Sequence, residues 1–295
     1  MVWKNYINNW YTINNNNNSL EVEIFNKTNG GIFSTTTIIL KSIMAIFALI
    51  EKEPDVLITK TMYFKYNYLE NHDNYLKSDN DIYNIFFKIN KELKIEDYII
   101  VNLKGENIIN DEQFINYKNI NYRLQIPFIK KYFEPSDEIK NIIYNIEKNY
   151  INKYNYENIC VLFYRGNDKN RETNICSYED IILKAKEIMK LNPNIIFLLQ
   201  SDELEFIKKL SIEFSNSFYF DENLSKPINK DLLTNNVNIL PKFERFEYGK
   251  KYIAITQVMS KCKYVVCTSG NCSIWIAYYR GNANNIFQYL NNEWV

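Results

Sequence analysis

Short apolar runs bounded by polar turns recur along this 295-residue chain, with longer amphipathic stretches between them. In the first half, Glu21 to Phe25 reads as a strand. It runs into Asn29-Gly30-Gly31 and then a helical pattern from about Ser34 to Glu51. Asp55 to Thr59 reads as the next strand, so this stretch predicts a strand–helix–strand crossover with parallel strands. Asp81 to Leu93 places Ile82, Ile85, Phe86 and Ile89 on one helical face, and Tyr98 to Leu103 reads as a strand. Pro135-Ser136 opens a helix to about Tyr150, with Ser136 suited to cap it and Ile139, Ile142, Ile143 and Ile146 as its stripe.

Beyond the polar stretch Asn152 to Asn158 the alternation is cleaner. Strands are predicted at Ile159–Tyr164, Asn194–Gln200, Ser217–Phe220, Tyr264–Cys267 and Asn285–Tyr289. Helices are predicted at Ser177–Leu191, Glu203–Phe214, Phe246–Cys262 and Ser273–Tyr279, the first with a capping pair in Ser177 and Asp180. Strands alternating with helices mean a parallel sheet covered on both faces. The expected fold class is therefore α/β, with two Rossmann-like domains, 1–152 and 153–295, facing across a cleft. Ligands of such sheets sit beyond the carboxyl ends of the strands.

Composition narrows the function. Lys plus Arg and Asp plus Glu both number 35, so the formal charge is zero, which speaks against a general nucleic-acid binder. A 46% hydrophobic content with 16% aromatics is enough to fill a core. The lone histidine, His72, excludes a multi-histidine metal site, and Asp79-Asn80-Asp81 opens a helix with no apolar strand before it. Five cysteines with no Cys-x-x-Cys read as reduced thiols of a cytosolic protein. Met1 to Asn18 has no apolar signal core, and the run Asn14 to Asn18 reads as compositional bias. The apolar stretch Thr37 to Ile50 is interrupted by Lys41 and reads as too short to span a bilayer. The expectations are a cytoplasmic protein with no membrane span, no metal and no nucleic-acid partner.

Four places carry candidate chemistry, each with a plain structural alternative. Arg165, Gly166, Asp168, Lys169 and Glu172 follow the strand Ile159–Tyr164; an arginine at a strand end offers a planar fork to phosphate, and the alternative is a charged loop with local ion pairs. Ser269, Gly270, Asn271 and Ser273 form a small-residue turn from a strand into a helix, where backbone N–H groups attract anions; ordinary helix capping is the alternative. Neither a dinucleotide fingerprint nor a Walker A sequence is present. Gly30, Gly31 and Ser34 make a tight turn that either admits a ligand or the facing domain, or simply caps a helix. Asp202, after a strand end, either holds a ribose or base edge or caps the next helix.

At these residues the chain resembles the GT-B fucosyltransferase superfamily, which contains α1,6-, α1,2- and protein O-fucosyltransferases. The family's strand ending in His-x-Arg, then a small residue and often Thr-Asp-Lys, is here Phe163-Tyr164-Arg165-Gly166-Asn167-Asp168-Lys169. Its strand with an acidic end is Gln200-Ser201-Asp202, and its Ser/Asn-rich turn is Val265 to Ser273. The order Gly30 to Ser34 is similar to its acceptor half. The family's histidine is Phe163 in this chain, which can neither bind phosphate nor shuttle a proton.

The resemblance implies an inverting, metal-independent glycosyltransferase taking a nucleotide-sugar donor, GDP-fucose in the family, and a glycan or glycoconjugate acceptor. It implies that Arg165 stabilises the charge growing on the leaving diphosphate, with Gly166, Lys169, Asp202, Ser269, Gly270, Asn271 and Ser273 around the donor. Glu172 or Asp168 would take the acceptor's proton, Lys169 would hold the second phosphate or pair with Glu172, and Gly30, Gly31 and Ser34 would lie on the acceptor side. No cofactor is implied. The alternatives are a related transferase using another nucleotide sugar, or an inactive sugar- or nucleotide-binding module.

Overall fold

The structure, a computed structural model, describes residues 11–16, 19–24, 30–58, 82–104, 112–166, 169, 172–220 and 242–295. Asn29, Thr59, His72, Asp79-Asn80-Asp81 and Asp168 lie outside the described residues. Two compact units result. One takes in Met1–Asn110, Asn121–Glu138 and Pro241–Lys250; the other takes in Asp111–Ile120, Ile139–Leu240 and Lys251–Val295. The chain passes between them more than once, and residues 111–120 and 139–152 group with the second unit.

In the first unit β1 (Tyr11–Asn16) runs antiparallel to β2 (Ser19–Ile24). After α1 (Ile32–Ile50) the chain returns as β3 (Val56–Ile58), parallel to β2. Leu20, Val22 and Ile24 are buried at alternate positions, as a strand with one covered face requires. The crossover β2–α1–β3 matches the sequence pattern. β1 does not, because Tyr11–Asn16 has one aliphatic residue, Ile13, and no alternation; pairing with β2 makes it a strand. The described part of this unit thus shows one crossover and an antiparallel edge.

Gly31 is the N-cap of α1, with extended backbone and no side-chain bond, so Ser34 lies inside the first turn and does not cap it. The Thr36 and Thr37 hydroxyls donate back to the carbonyls of Ile32 and Phe33 at 2.7 and 2.8 Å, which satisfies them inside the core. At 19 residues α1 is longer than the stretch Thr37 to Ile50, and by length and composition it is long enough to cross a membrane. Most of its residues are buried within the protein, Lys41 included, as in a core helix.

Two further expectations are corrected in this unit. Asp81 to Leu93 is not one helix: α2 (Ile82–Phe86) gives way to β4 (Phe87–Lys88). Tyr98 to Leu103 is helical: α3 (Asp97–Leu103) buries Ile99, Ile100 and Leu103 and exposes Tyr98 and Val101, a helical stripe hidden in a short apolar run. α4 (Tyr122–Tyr132) packs on α1 through Phe47, whose ring meets Phe128 and Tyr132 edge-on at 5.1 and 6.1 Å. β5 (Glu134–Pro135) pairs with β4, and Phe87 stacks its ring edge-on against Phe133 at 5.4 Å, which explains why the helix breaks there.

After Asp111–Ile120, the second unit continues with the residues of α5 (Asp137–Ile146) from Ile139 onward, ending in a π turn over Glu147–Ile151. Then follow β6 (Ile159–Tyr164), α6 (Tyr178–Leu191), β7 (Ile196–Ser201), α7 (Leu204–Glu213) and β8 (Ser217–Phe218). α8 (Lys242–Lys261) joins this unit at Lys251. β9 (Tyr264–Thr268), α9 (Asn271–Arg280), β10 (Ile286–Leu290) and β11 (Glu293–Trp294) complete it. The sheet order is β11-β10-β9-β6-β7-β8, with β6 parallel to both β7 and β9. Counting β6 to β10 as first to fifth, the parallel strands lie 3-2-1-4-5, the doubly wound order, and the order reverses between β6 and β9.

Every residue of β6 is buried, as expected of a central strand covered on both faces. Cys160, Leu162 and Tyr164 join Phe197, Leu199, Ile181, Ala185, Phe206 and Val266 in one apolar cluster, and Val161 and Phe163 are buried too. α6 starts with the expected capping box between Ser177 and Asp180. α9 ends at Gly281 in the left-handed region (φ 80°), its N–H bonded to the Ala277 carbonyl at 2.8 Å.

Gly281→Ala should lower unfolding free energy by about 1–2 kcal/mol, read from the urea midpoint, because a Cβ strains that conformation. Burial also holds the hydroxyls of Tyr132, Tyr164 and Tyr279 well above their ordinary value of 10.0. Folded values above unfolded ones mean a contribution complete below the ordinary value and lost as pH rises past it. Urea titrations into the alkaline range should show stability falling by at most about 1.4 kcal/mol per pH unit per tyrosine. Tyr279→Phe should remove one such share; an unchanged slope would contradict it.

Candidate functional site

The register of the second unit's sheet sets three strand ends side by side. Tyr164 pairs with Ser201 and Phe163 with Cys267, so Arg165 emerges between Asp202 on one side and Thr268-Ser269 on the other. This is the carboxyl edge of β6, β7 and β9, at the reversal of strand order, where doubly wound sheets bind ligands. The Arg165 N–H donates to Thr268 Oγ1 at 3.1 Å, and the Gly166 N–H donates to Asp202 Oδ1 at 3.1 Å. The Arg165 guanidinium lies 3.3 Å from Asp202 Oδ2; its side chain is 18% exposed and that of Asp202 only 3%.

Gly166 is required by space. A Cβ there would sit 1.9 Å from Glu203 Oε1 and 2.6 Å from Tyr164 Cε1. Glu203 is buried and accepts a hydrogen bond from the Tyr178 hydroxyl. Tyr164 stacks on Phe206 at 5.1 Å and meets Tyr178 edge-on at 5.0 Å, so the strand end rests on an aromatic floor. Burial, and then the Glu203 carboxylate, push both tyrosine hydroxyls up and keep them protonated.

Beyond Gly166 the loop turns back, with the Lys169 N–H on the Gly166 carbonyl at 2.8 Å and the Glu172 N–H on the Lys169 carbonyl at 2.9 Å. Lys169 Nζ pairs with Glu172 Oε2 at 2.5 Å; the lysine is nearly buried and the carboxylate 41% exposed. The lysine stem also reaches the small-residue turn, since a Cβ on Gly270 would lie 3.6 Å from Lys169 Cε. Structure thus brings Arg165, Gly166, Lys169, Glu172, Asp202 and the turn from Ser269 together.

Hydroxyls of that turn are committed inside the fold. Ser269 Oγ donates to the Tyr289 carbonyl at 2.7 Å and accepts from Gln288 Nε2 at 2.9 Å, and Ser273 Oγ donates to the Thr268 carbonyl at 2.5 Å. Gly270, the N-cap of α9, gives its N–H to the Tyr117 hydroxyl at 3.1 Å, and Asn271 Nδ2 donates to Gln113 Oε1 at 2.9 Å. The serine hydroxyls of the turn and the Gly270 N–H are therefore taken up within the fold. Gln288 also accepts from the Tyr117 N–H at 3.0 Å and donates to the Ile115 carbonyl at 3.0 Å, which ties Glu112–Ile120 to the turn.

Tyr117, Gln113 and Gln288 were not singled out from sequence, and Thr268 and Glu203, inside the candidate segments, were given no role. Only Gln288 carries a local signal: a buried amide within Ile-Phe-Gln-Tyr-Leu must find partners. Gly30, Gly31 and Ser34 belong to the first unit. A Cβ on Gly30 would lie 3.1 Å from Ser34 Oγ, whereas nothing approaches one on Gly31 within 4 Å. That unit also holds an open cavity of about 1060 Å³, lined among others by Glu53, Asp55, Lys131, Tyr132 and Ser136.

All five cysteines are free and buried, and burial raises their thiols, Cys272 to about 11 and Cys267 to about 12. Hydrogen bonds from Thr256 and Tyr252, and after them the Arg165 charge, partly offset the rise at Cys272. Among the described residues no group of three His, Cys, Asp or Glu could hold a metal ion. Gly166→Ala should destabilise the protein by about 1–3 kcal/mol in urea melts, by forcing Glu203 and Tyr164 apart; stability equal to wild type would show that the strand end can yield.

No family profile and no curated protein matches the sequence. Among solved structures, the chain is similar to fucosyltransferase NodZ from Bradyrhizobium, at 12% identity and a TM-score of 0.41, over 60% of this chain and 52% of that one. It is also similar to NodZ alpha-1,6-fucosyltransferase co-crystallized with GDP, at 12% identity and a TM-score of 0.38, over 55% of this chain and 46% of the other. The same enzyme soaked with GDP-fucose gives 12% and 0.38, over 60% and 53%. The chain spans about half the length of these structures. At such identity and TM-score the likeness carries no argument about activity, donor or mechanism.

Proposed function

We propose that the protein is an inverting glycosyltransferase that moves a sugar from a nucleotide-sugar donor to a hydroxyl of a glycan or glycoconjugate, with GDP-fucose as the donor. The observation that supports this reading is the placement of Arg165: a cation held at the strand-order reversal, beside a main-chain turn suited to anions. The motif order at Arg165, Asp202 and Ser269 to Ser273 supports it independently.

The acceptor oxygen attacks the anomeric carbon while the bond from that carbon to the diphosphate oxygen breaks. The bonding pair leaves with the diphosphate, whose growing charge Arg165 meets with donors already in place. Lys169, next to Gly270, is the second cation in reach of the turn. The acceptor's proton passes to a carboxylate, and Glu172 is the described candidate: it is half-exposed, and its ion pair with Lys169 orients it. In this reading the two cations do the work of a divalent metal, no cofactor takes part, and the reaction is cytoplasmic. Phe163, buried in β6, leaves phosphate recognition to Arg165, Lys169 and main chain.

Thermal-shift titration with GDP, UDP and CDP, with and without EDTA, tests the donor class. GDP at about 100 times its Kd should add about 2.7 kcal/mol of stability, unaffected by EDTA. Arg165→Ala should keep the fold and lower transfer about 10²–10³-fold. Turnover near wild type would contradict the assigned role, and a donor that binds but is never consumed would make the protein a binding module.

A further inference from the structure

Asp202 stands where an acidic residue could hold a donor's ribose or base, yet its carboxylate is turned inward. One oxygen takes the Gly166 N–H at 3.1 Å and the other faces the Arg165 guanidinium at 3.3 Å, with the side chain 3% exposed. From the opposite neighbour, Thr268 Oγ1 takes the Arg165 N–H at 3.1 Å. Arg165 is thus gripped from both flanking strands, main chain from β9 and guanidinium from β7.

We propose that Asp202 is the positioning residue of Arg165: it fixes the guanidinium for the transition state at the expense of ground-state affinity for the anion. This rests on the reading of Arg165 as the diphosphate contact. A long flexible side chain must lose rotamer freedom before it can direct its charge, and a partner that fixes it beforehand removes that loss from the reaction step. A carboxylate, however, repels a diphosphate arriving at the same cation. A residue selected to bind the donor's phosphates would not be negative; one selected to orient the arginine is best negative, because an ion pair fixes a guanidinium in direction as well as place. The two roles therefore pull affinity and turnover in opposite directions, which a merely structural role does not.

Asp202→Asn on the full chain keeps the side chain's shape and its acceptor for the Gly166 N–H while removing the charge. GDP affinity by calorimetry and hydrolysis of GDP-fucose without acceptor are the two readouts. In hydrolysis the water oxygen bonds to the anomeric carbon, the bond to the diphosphate breaks, GDP leaves and the proton goes to solvent. The variant should bind GDP about threefold to tenfold more tightly and hydrolyse about 10²-fold more slowly, with a melting temperature near wild type. Asp202→Ala, should it fold, should show the same split. Turnover within about twofold of wild type, or affinity and turnover falling together with the melting temperature, overturns the positioning role alone. A wild-type chain that binds no nucleoside diphosphate overturns the functional reading, and this role with it.

Discussion

A strand buried on both faces gives its side chains only packing to do until it ends. β6 is such a strand, with all six residues inside and parallel neighbours on both edges. The first charged side chain after it is Arg165, and the register leaves that residue one position: between Asp202 and Thr268. The rest of the site follows from this constraint. Gly166 must lack a side chain because Glu203 and Tyr164 already fill the space, and the loop must turn back at once, which brings Lys169 onto Gly270.

The second half of the site is built differently. Around Gly270 the side chains serve the fold, and the main chain of Gly270 is held as well. Ser269 and Ser273 close bonds to carbonyls, and the helix that begins there has no cap of its own. A tyrosine hydroxyl from elsewhere in the chain holds the main chain of Gly270, and a buried amide from β10 links that tyrosine's main chain to Ser269. Such a network holds only if every member is satisfied, which makes the turn stiff.

Where elements were legible in the sequence, the signal was periodic and uninterrupted. Most of the second unit's strands and helices follow their patterns within a residue or two, although α8 starts four residues before the expected Phe246 and β11 was not expected, and Ser177 with Asp180 forms the box that its spacing announces. Arg165, Gly166, Lys169, Glu172, Asp202 and Ser269 converge as strand-end logic suggests. The failures have physical causes. β1 is a strand by pairing; Tyr98 to Leu103 is too short to show its period; and Phe87 leaves its helix to pack on Phe133. Serine roles stayed open because a hydroxyl at a turn looks the same in sequence whether it faces a ligand or a carbonyl. Tyr117 and Gln113 could not be found at all, since partners that far apart leave no trace in local spacing.

That separation bears on how the site matures during folding. Tyr117 lies 153 positions before Gly270, and its main chain lies 171 before Gln288. Contacts so distant along the chain close late, after the loops between them have given up their freedom. Every strand of the sheet from β6 onward lies after Ile159, β6 and β9 included, but the turn before α9 waits for a segment synthesised earlier still. A fragment beginning at Lys153 would contain every strand of that sheet and still lack the piece that holds the turn in shape.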